Sequence, residues 1–386
     1  MPTADAPPPP TRQLAVGARH VCALRAGEVW CWGSNGQSQC GIEGEVEVAS
    51  PRRVPLDRPA TAVVAGARHT CAILDSRQLA CWGWGGSGQL GDGRRESSAA
   101  PVIALGLRDV VDAAAGELHT CAVDADGQVW CWGSESLGQL GRGVPGRTAP
   151  PPPEGGLQDR SAAGTGATTT RSQGASLPPA TEPPPTGGLG FGTPPTGSPT
   201  PQRVPVEGAR QLAAREHGTC ALLENGSVRC WGRDAFDHVH PPTPVEGVSN
   251  AVAVAVGRRV ACALGVDGLV RCWGRGNLGQ LGDGTLDHRT DARPIPTLTD
   301  VVEIGAGDER ACARRADGTV WCWGSGGLGD EYGRVSAATP YAAHEIAGAV
   351  ALGVGADDAC ATLADRSTWC WGRTTRRPRR IEGASP

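Results

Sequence analysis

Gly116-Glu117-Leu118-His119-Thr120-Cys121-Ala122-Val123-Asp124-Ala125-Asp126-Gly127-Gln128-Val129-Trp130-Cys131-Trp132-Gly133 is the stretch that decides the fold. Two apolar runs flank Ala125-Asp126-Gly127. A Gly closing a three-residue loop suits a β-hairpin, because it takes φ > 0 without steric penalty. In that register Cys121 faces Cys131 and Ala122 faces Trp130. Opposed residues of a hairpin lie about 4.5–5.5 Å apart at Cα, within reach of a disulfide.

The stretch recurs. Cys-Trp-Gly begins at Cys31, Cys81, Cys131, Cys230, Cys272, Cys322 and Cys370, at intervals of 50, 50, 99, 42, 50 and 48 residues. Such a period marks a repeat architecture, and the Gly and Pro content (57 and 32 residues) favours short strands joined by tight turns. The 99-residue interval is one period plus an insertion. Residues 144–202, rich in Pro, Gly, Thr and Ser, bury too little apolar surface to order themselves and are expected to form a flexible insertion. Residues 1–10 are expected to be disordered, leaving 11–386 as the repeat domain.

Each unit carries a β-rich run, a first Cys followed by Ala, a turn, and a strand ending in Cys-Trp-Gly. Three units continue with Gly-Gln-Leu-Gly, at 88–91, 138–141 and 279–282, before strands such as that at Pro51-Arg52-Arg53-Val54. The pattern Gly-x-x-His-Thr-Cys-Ala, Asp-Gly-x-Val-Trp-Cys-Trp-Gly and Gly-Gln-Leu-Gly-Asp-Gly resembles the regulator of chromosome condensation (RCC) repeat family, in its bacterial-type, cysteine-paired form. The resemblance covers all but the first ten residues and the insertion. It implies an all-β, seven-bladed β-propeller. The last unit is read as lacking its β-run and first-Cys strand, and residues 14–24 as supplying them. N- and C-terminal strands are therefore expected to share the closing blade.

Fourteen of the 15 cysteines fall into pairs: Cys22/Cys31, Cys71/Cys81, Cys121/Cys131, Cys220/Cys230, Cys262/Cys272, Cys312/Cys322 and Cys360/Cys370. Disulfides, buried free thiols and metal sites are the three readings. The opposed register favours the first, and no Cys-x-x-Cys knuckle speaks for the last. Cys40 stands where other copies have Leu and reads as a small core residue. The Trp after each second Cys reads as packing between blades.

Little points to chemistry. His20, His69 and His119 suggest a metal ring, but Val260, Arg310 and Asp358 replace them in later units and His217 is displaced by one, so structural hydrogen bonding is expected. Asp283 and Asp287 make only a weak calcium loop. No nucleophile elbow, His-Glu-x-x-His or recurring carboxylate pair is present, and no cofactor or metal is expected.

A net charge of −4 disfavours general nucleic-acid binding. No run approaches the roughly 18 apolar residues of a membrane span. Residues 1–10 lack the basic and apolar regions of an export signal. Paired cysteines nonetheless imply an oxidising compartment, so an extracellular or cell-envelope location is expected.

The expected function is a non-catalytic, monomeric protein-interaction scaffold whose protein partner the sequence does not identify. Units four and seven depart from the loop pattern. Their candidate binding rim is Phe236, His238 and His240 in one, and Arg376, Arg377 and Arg379 in the other. The resemblance also implies, as alternatives, a guanine-nucleotide exchange factor or an enzyme inhibitor. A propeller-based lyase or hydrolase is the third class.

Overall fold

The computed structural model describes residues 13–142, 196–373 and 375–382. Residues 1–147 and 195–386 belong to one compact unit, and a second unit, 148–194, lies outside the described residues. The N-terminal segment 1–10 and most of the 144–202 insertion lie outside them too.

The described residues form seven four-stranded antiparallel sheets and no helix. They are the blades of a propeller, at 14–53, 60–103, 110–204, 209–244, 251–294, 301–342 and 349–380. Strand order within a blade follows chain order. The innermost strand is the β-rich run, and the outermost is the one that follows the variable loop.

The hairpins carry the expected register. Cys121 faces Cys131 and Ala122 faces Trp130; Ala23 faces Trp30, Ala313 faces Trp321 and Ala361 faces Trp369. Gly127, Gly226, Gly268 and Gly318 close their turns with φ of 72–79°. In blade 1 the two-residue turn has positive φ at both Ala26 and Gly27, the primed geometry that matches strand twist. All seven cysteine pairs are disulfides, with Cα atoms 4.0–4.1 Å apart. That is closer than expected, in the range of narrow antiparallel pairs, where side chains come nearest. Cys40 is buried and free, and burial pushes its thiol up to about 12.

Two expectations need correcting. Among the described residues no blade is shared between the terminal strands. The last repeat holds its own β-run, Ala349–Val354, and its own first-Cys strand, Asp358–Leu363. The first blade likewise contains Leu14–Val16 through Glu47–Arg53. Among the described residues the first strand is an inner one and the last an outer one, so none is left unpaired with a blade. The ring closes by packing: Val16 sits against Gly353 and Gly355, and Ala356 N–H donates to Gly17 O at 3.3 Å.

The insertion also ends earlier than 202, because Gly197–Val204 is the outer strand of blade 3, paired with Val129–Ser134. Its prolines are tolerated because an outer strand needs no N–H on its free side. Pro51, Pro101, Pro241, Pro294 and Pro340 sit in outer strands in the same way. They blunt edges that would otherwise invite pairing.

The core lies between blades. One cluster joins Leu79 and Leu90 of blade 2 to Val110 and Trp132 of blade 3, and another joins Val320 and Leu328 of blade 6 to Leu352 and Trp371 of blade 7. Burying about 200 Å² of a Trp contributes about 5 kcal/mol at ~25 cal/mol per Å².

Candidate functional site

Strand polarity places two sets of connections on one face, termed the loop face: the turn between inner and second strands, and the variable loop between third and outer strands. The variable loops explain Gly-Gln-Leu-Gly. Each reaches over the next blade, where its last Gly lies on that blade's Trp. A Cβ at Gly91 would come within 2.7 Å of Trp132 Nε1, and one at Gly282 within 2.7 Å of Trp323 Cδ1. The Gln main-chain carbonyl accepts from the same indole: Trp82 to Gln39 O (3.1 Å), Trp132 to Gln89 O (2.9 Å), Trp231 to Gln139 O (3.0 Å) and Trp323 to Gln280 O (3.0 Å).

The histidines fasten the same interfaces. His69 Nε2 lies 2.8 Å from Thr120 Oγ1 of the next blade, and that hydroxyl donates to Gln89 O at 2.8 Å. With the hydroxyl proton engaged, the imidazole must donate from Nε2. Nδ1 is then bare, buried and without a partner among the described residues. His20 repeats the arrangement through Thr70 and Gln39 O, and His119 Nε2 reaches Thr219 at 2.7 Å. Burial holds these imidazoles at about 4, 3 and 3 for His20, His69 and His119, so all are neutral. They are structural links. Arg310 takes the position in blade 6, donating to Gly327 O at 2.9 Å and to Asp357 O. Asp283 accepts from Thr285 and from Arg289 (2.9 Å). Among the described residues no group of three or more His, Cys, Asp or Glu side chains is placed to hold a metal ion.

Where the variable loop is short, the covering is incomplete. Trp82, Trp132, Trp231, Trp323 and Trp371 are at most 1% exposed, whereas Trp32 is 6% exposed and Trp273 only partly buried. Trp273 follows the short loop of blade 4, and Trp32 follows that of blade 7. Neither indole has a hydrogen-bond partner among the described residues.

The blade 4 loop is locally ordered. Asp234 Oδ1 accepts from Phe236 N (2.8 Å) and His238 N (2.9 Å), while Oδ2 faces His238 Nδ1 (3.7 Å) and His240 Nε2 (3.8 Å). The Phe236 ring lies 6.5 Å from His238 and 6.1 Å, edge-on, from His288 of blade 5. Arg275 of blade 5 donates to Ala235 O (2.6 Å) and Asp237 (2.9 Å). Phe236, His238 and His240 thus form one cluster around Asp234, tied to blade 5 through His288 and Arg275. Arg376, Arg377 and Arg379 are exposed on blade 7, three blades away, and the ring does not bring them to Phe236.

The structure adds a region that the sequence reading passed over. The inner turns follow a Gly in six blades and Arg215 in blade 4, and carry Ala18-Arg19, Ala67-Arg68, Glu117-Leu118, Glu216-His217, Arg258-Arg259, Asp308-Glu309 and Ala356-Asp357. A cavity of about 620 Å³ lies there, lined by Arg19, Arg68, Glu117, Arg215, Glu216 and Asp308 among others. Glu216 pairs with Arg258 (3.0 Å), and burial raises its carboxyl pKa. His217 faces Glu117 (3.6 Å), yet burial lowers its pKa. Only the charged identities at these positions, which differ from blade to blade, could have signalled this ring.

Family models for the regulator of chromosome condensation (RCC1) repeat match residues 26–73 and 79–123, and, in a second form, residues 12–39, 60–89, 110–139 and 301–330. No curated protein sequence matches. Among solved structures the fold is similar to human WBSCR16, with 18% identity, coverage of 92% of this chain and 94% of that one, and a TM-score of 0.72. It is similar to Prp20p from Saccharomyces cerevisiae, with 20% identity, 92% and 86% coverage, and a TM-score of 0.67. It is also similar to the CRINKLY WD40 ectodomain of the Arabidopsis thaliana receptor kinase ACR4, with 17% identity, 96% and 98% coverage, and a TM-score of 0.52. With its seven blades and its matched repeats, the chain belongs to the RCC1 repeat family of β-propellers.

Proposed function

We propose that this protein is a non-catalytic, monomeric interaction scaffold, secreted or held at the cell envelope, that offers the loop face of a rigid disc to a protein partner. The gap left by the short blade 4 loop carries the proposal. There Phe236, His238 and His240 gather around Asp234, and Trp273 of the next blade is only partly buried. Aromatic groups on a preformed surface bind with little ordering penalty. Departures from a repeat's own pattern are where repeat proteins gather specific contacts.

Two further observations support the reading. Prp20p is described with its binding to Gsp1p and histones, so a propeller of this fold serves as a protein-binding surface there. Seven disulfides are consistent with an oxidising location, and the ACR4 propeller is an ectodomain. An exchange factor in the reducing cytosol is not favoured on the same ground.

The test is affinity capture from the native surface, followed by quantitative binding of the captured protein. Phe236→Ala with His238→Ala is expected to weaken binding at least tenfold. Unchanged binding would remove the blade 4 surface from the proposal.

A further inference from the structure

We propose that the axial mouth of the loop face binds a carboxylate, with Arg215, Arg19 and Arg68 as its ligands. The three arginines line one cavity of about 620 Å³, together with the neutral polar groups of Ser34, Gln37 and Gln39.

Arg215 is the central observation. It ends the inner strand of blade 4, its side chain is only 10% exposed, and it also lines the axial channel. Its Nε lies 3.3 Å from Asp308 Oδ1, whereas Nη2 is buried and has no acceptor among the described residues. Buried guanidinium N–H groups are rarely left unpaired, because leaving water without an acceptor is destabilising. An anion entering the mouth removes that defect without rearranging the fold.

The surrounding charges decide what kind of anion fits. Two carboxylates of the cavity wall face a cation, Glu216 facing Arg258 (3.0 Å) and Asp308 facing Arg215 (3.3 Å), while Glu117 faces His217 (3.6 Å), whose pKa burial lowers. Arg19 and Arg68, on neighbouring blades, are exposed and have no ion pair among the described residues. Arg68 instead lies 6.0 Å over the Trp84 ring. Two unpaired arginines on blades 1 and 2 thus stand against the single unpaired carboxylate of Glu117, and the balance is positive.

The turns that carry these two arginines are held firmly. A side chain at Gly17 or Gly66 would strike the imidazole of His20 or His69, and Gly17 and Gly66 N–H donate to His20 O (2.8 Å) and His69 O (2.9 Å). Planar guanidinium groups match a planar carboxylate with paired hydrogen bonds. Sulfate concentrates both negative charges on one small group beside Glu117, Glu216 and Asp308, whereas a dicarboxylic acid can hold its second carboxylate away from them. The cavity admits either a free dicarboxylic acid or the side chain of a partner's acidic segment. Both present the same group to Arg215. The proposal stands apart from the blade 4 surface, since it uses none of those residues.

Calorimetric titration of the full, disulfide-intact chain tests it, at constant ionic strength, with sodium succinate, an acetylated hexaglutamate peptide and sodium sulfate as probes. Saturable binding of a carboxylate probe is expected. Arg215→Gln is expected to weaken it at least tenfold, and so is Arg19→Gln with Arg68→Gln, while Phe236→Ala leaves it unchanged. Tighter binding of succinate identifies a free acid as the source, and tighter binding of the peptide identifies an acidic segment. The Arg19/Arg68 variant alters only exposed turns, so its melting temperature is expected to match the parent, and it decides the matter even if Arg215→Gln fails to fold. The proposal is overturned if neither carboxylate probe binds, if both arginine variants bind as the parent does, or if sulfate binds as tightly as the carboxylates.

Discussion

Replacing His69 by Gln should make the protein less sensitive to mild acid. In the fold, Nε2 of His69 donates to Thr120, and Nδ1 is sealed off with nothing to bond. Adding a proton at Nδ1 creates a buried charge without an acceptor, so the folded-state pKa drops from 6.5 to about 3. A pKa lowered by folding means that the unfolded chain binds the extra proton first. Stability is thus complete above the unfolded value of 6.5 and falls as pH drops from there toward 3.

Between pH 7 and pH 5 the loss from one such histidine is about 2 kcal/mol, and from His20, His69 and His119 together about 6 kcal/mol. Domains are commonly stable by only about 5–15 kcal/mol, so the effect is large. Gln keeps an amide N–H for Thr120 and has no proton to gain. Urea unfolding of the oxidised protein at both pH values, parent against His69→Gln, should show the variant losing about 2 kcal/mol less over the interval. Equal losses in the two proteins would refute the assignment of His69 as a neutral link.

Three other expectations are simpler to check. Thiol titration of denatured, unreduced protein should give about one thiol per chain, that of Cys40, and in the native state its raised pKa should make alkylation at pH 8 slow. Arg77 and Arg366 hold φ of 60° and 67° at the turn position where other blades use Gly. Replacing either by Gly should stabilise the protein by up to about 1 kcal/mol, read as a rise in denaturation midpoint. Gly91→Ala should destabilise by about 2 kcal/mol or more, since Gly91 has φ of 81° and an added Cβ meets Trp132 Nε1 at 2.7 Å. An unchanged midpoint would show that the loop does not clasp the indole.

What the sequence revealed follows from distance along the chain. Cys121 and Cys131 are ten residues apart on one hairpin, so turn length alone sets their register. The Trp positions were legible for the same reason, because small residues opposed large ones across that hairpin. His69 and Thr120 meet across a whole repeat, and their common acceptor is a main-chain carbonyl, which leaves no trace in side-chain pattern. The closing blade was misread because the repeat has no punctuation. Where a unit begins is settled by which strand lies innermost, and that emerges only from packing. The charged mouth was hidden by the very search for repeats, which discards positions such as Arg19, Arg68 and Asp308 that differ between copies.

The hairpin-local disulfides have a consequence for how the chain is made. Fourteen thiols have a very large number of wrong pairings, and a protein whose bridges spanned its sequence would have to sort among them. Here the first cysteine of each repeat finds its mate in the next one along. Segments of about ten residues meet their own ends in about 10–100 ns, and shorter loops close at lower entropic expense than those linking different repeats. Oxidation can therefore proceed one blade at a time during synthesis, each hairpin sealed before the next competing thiols arrive.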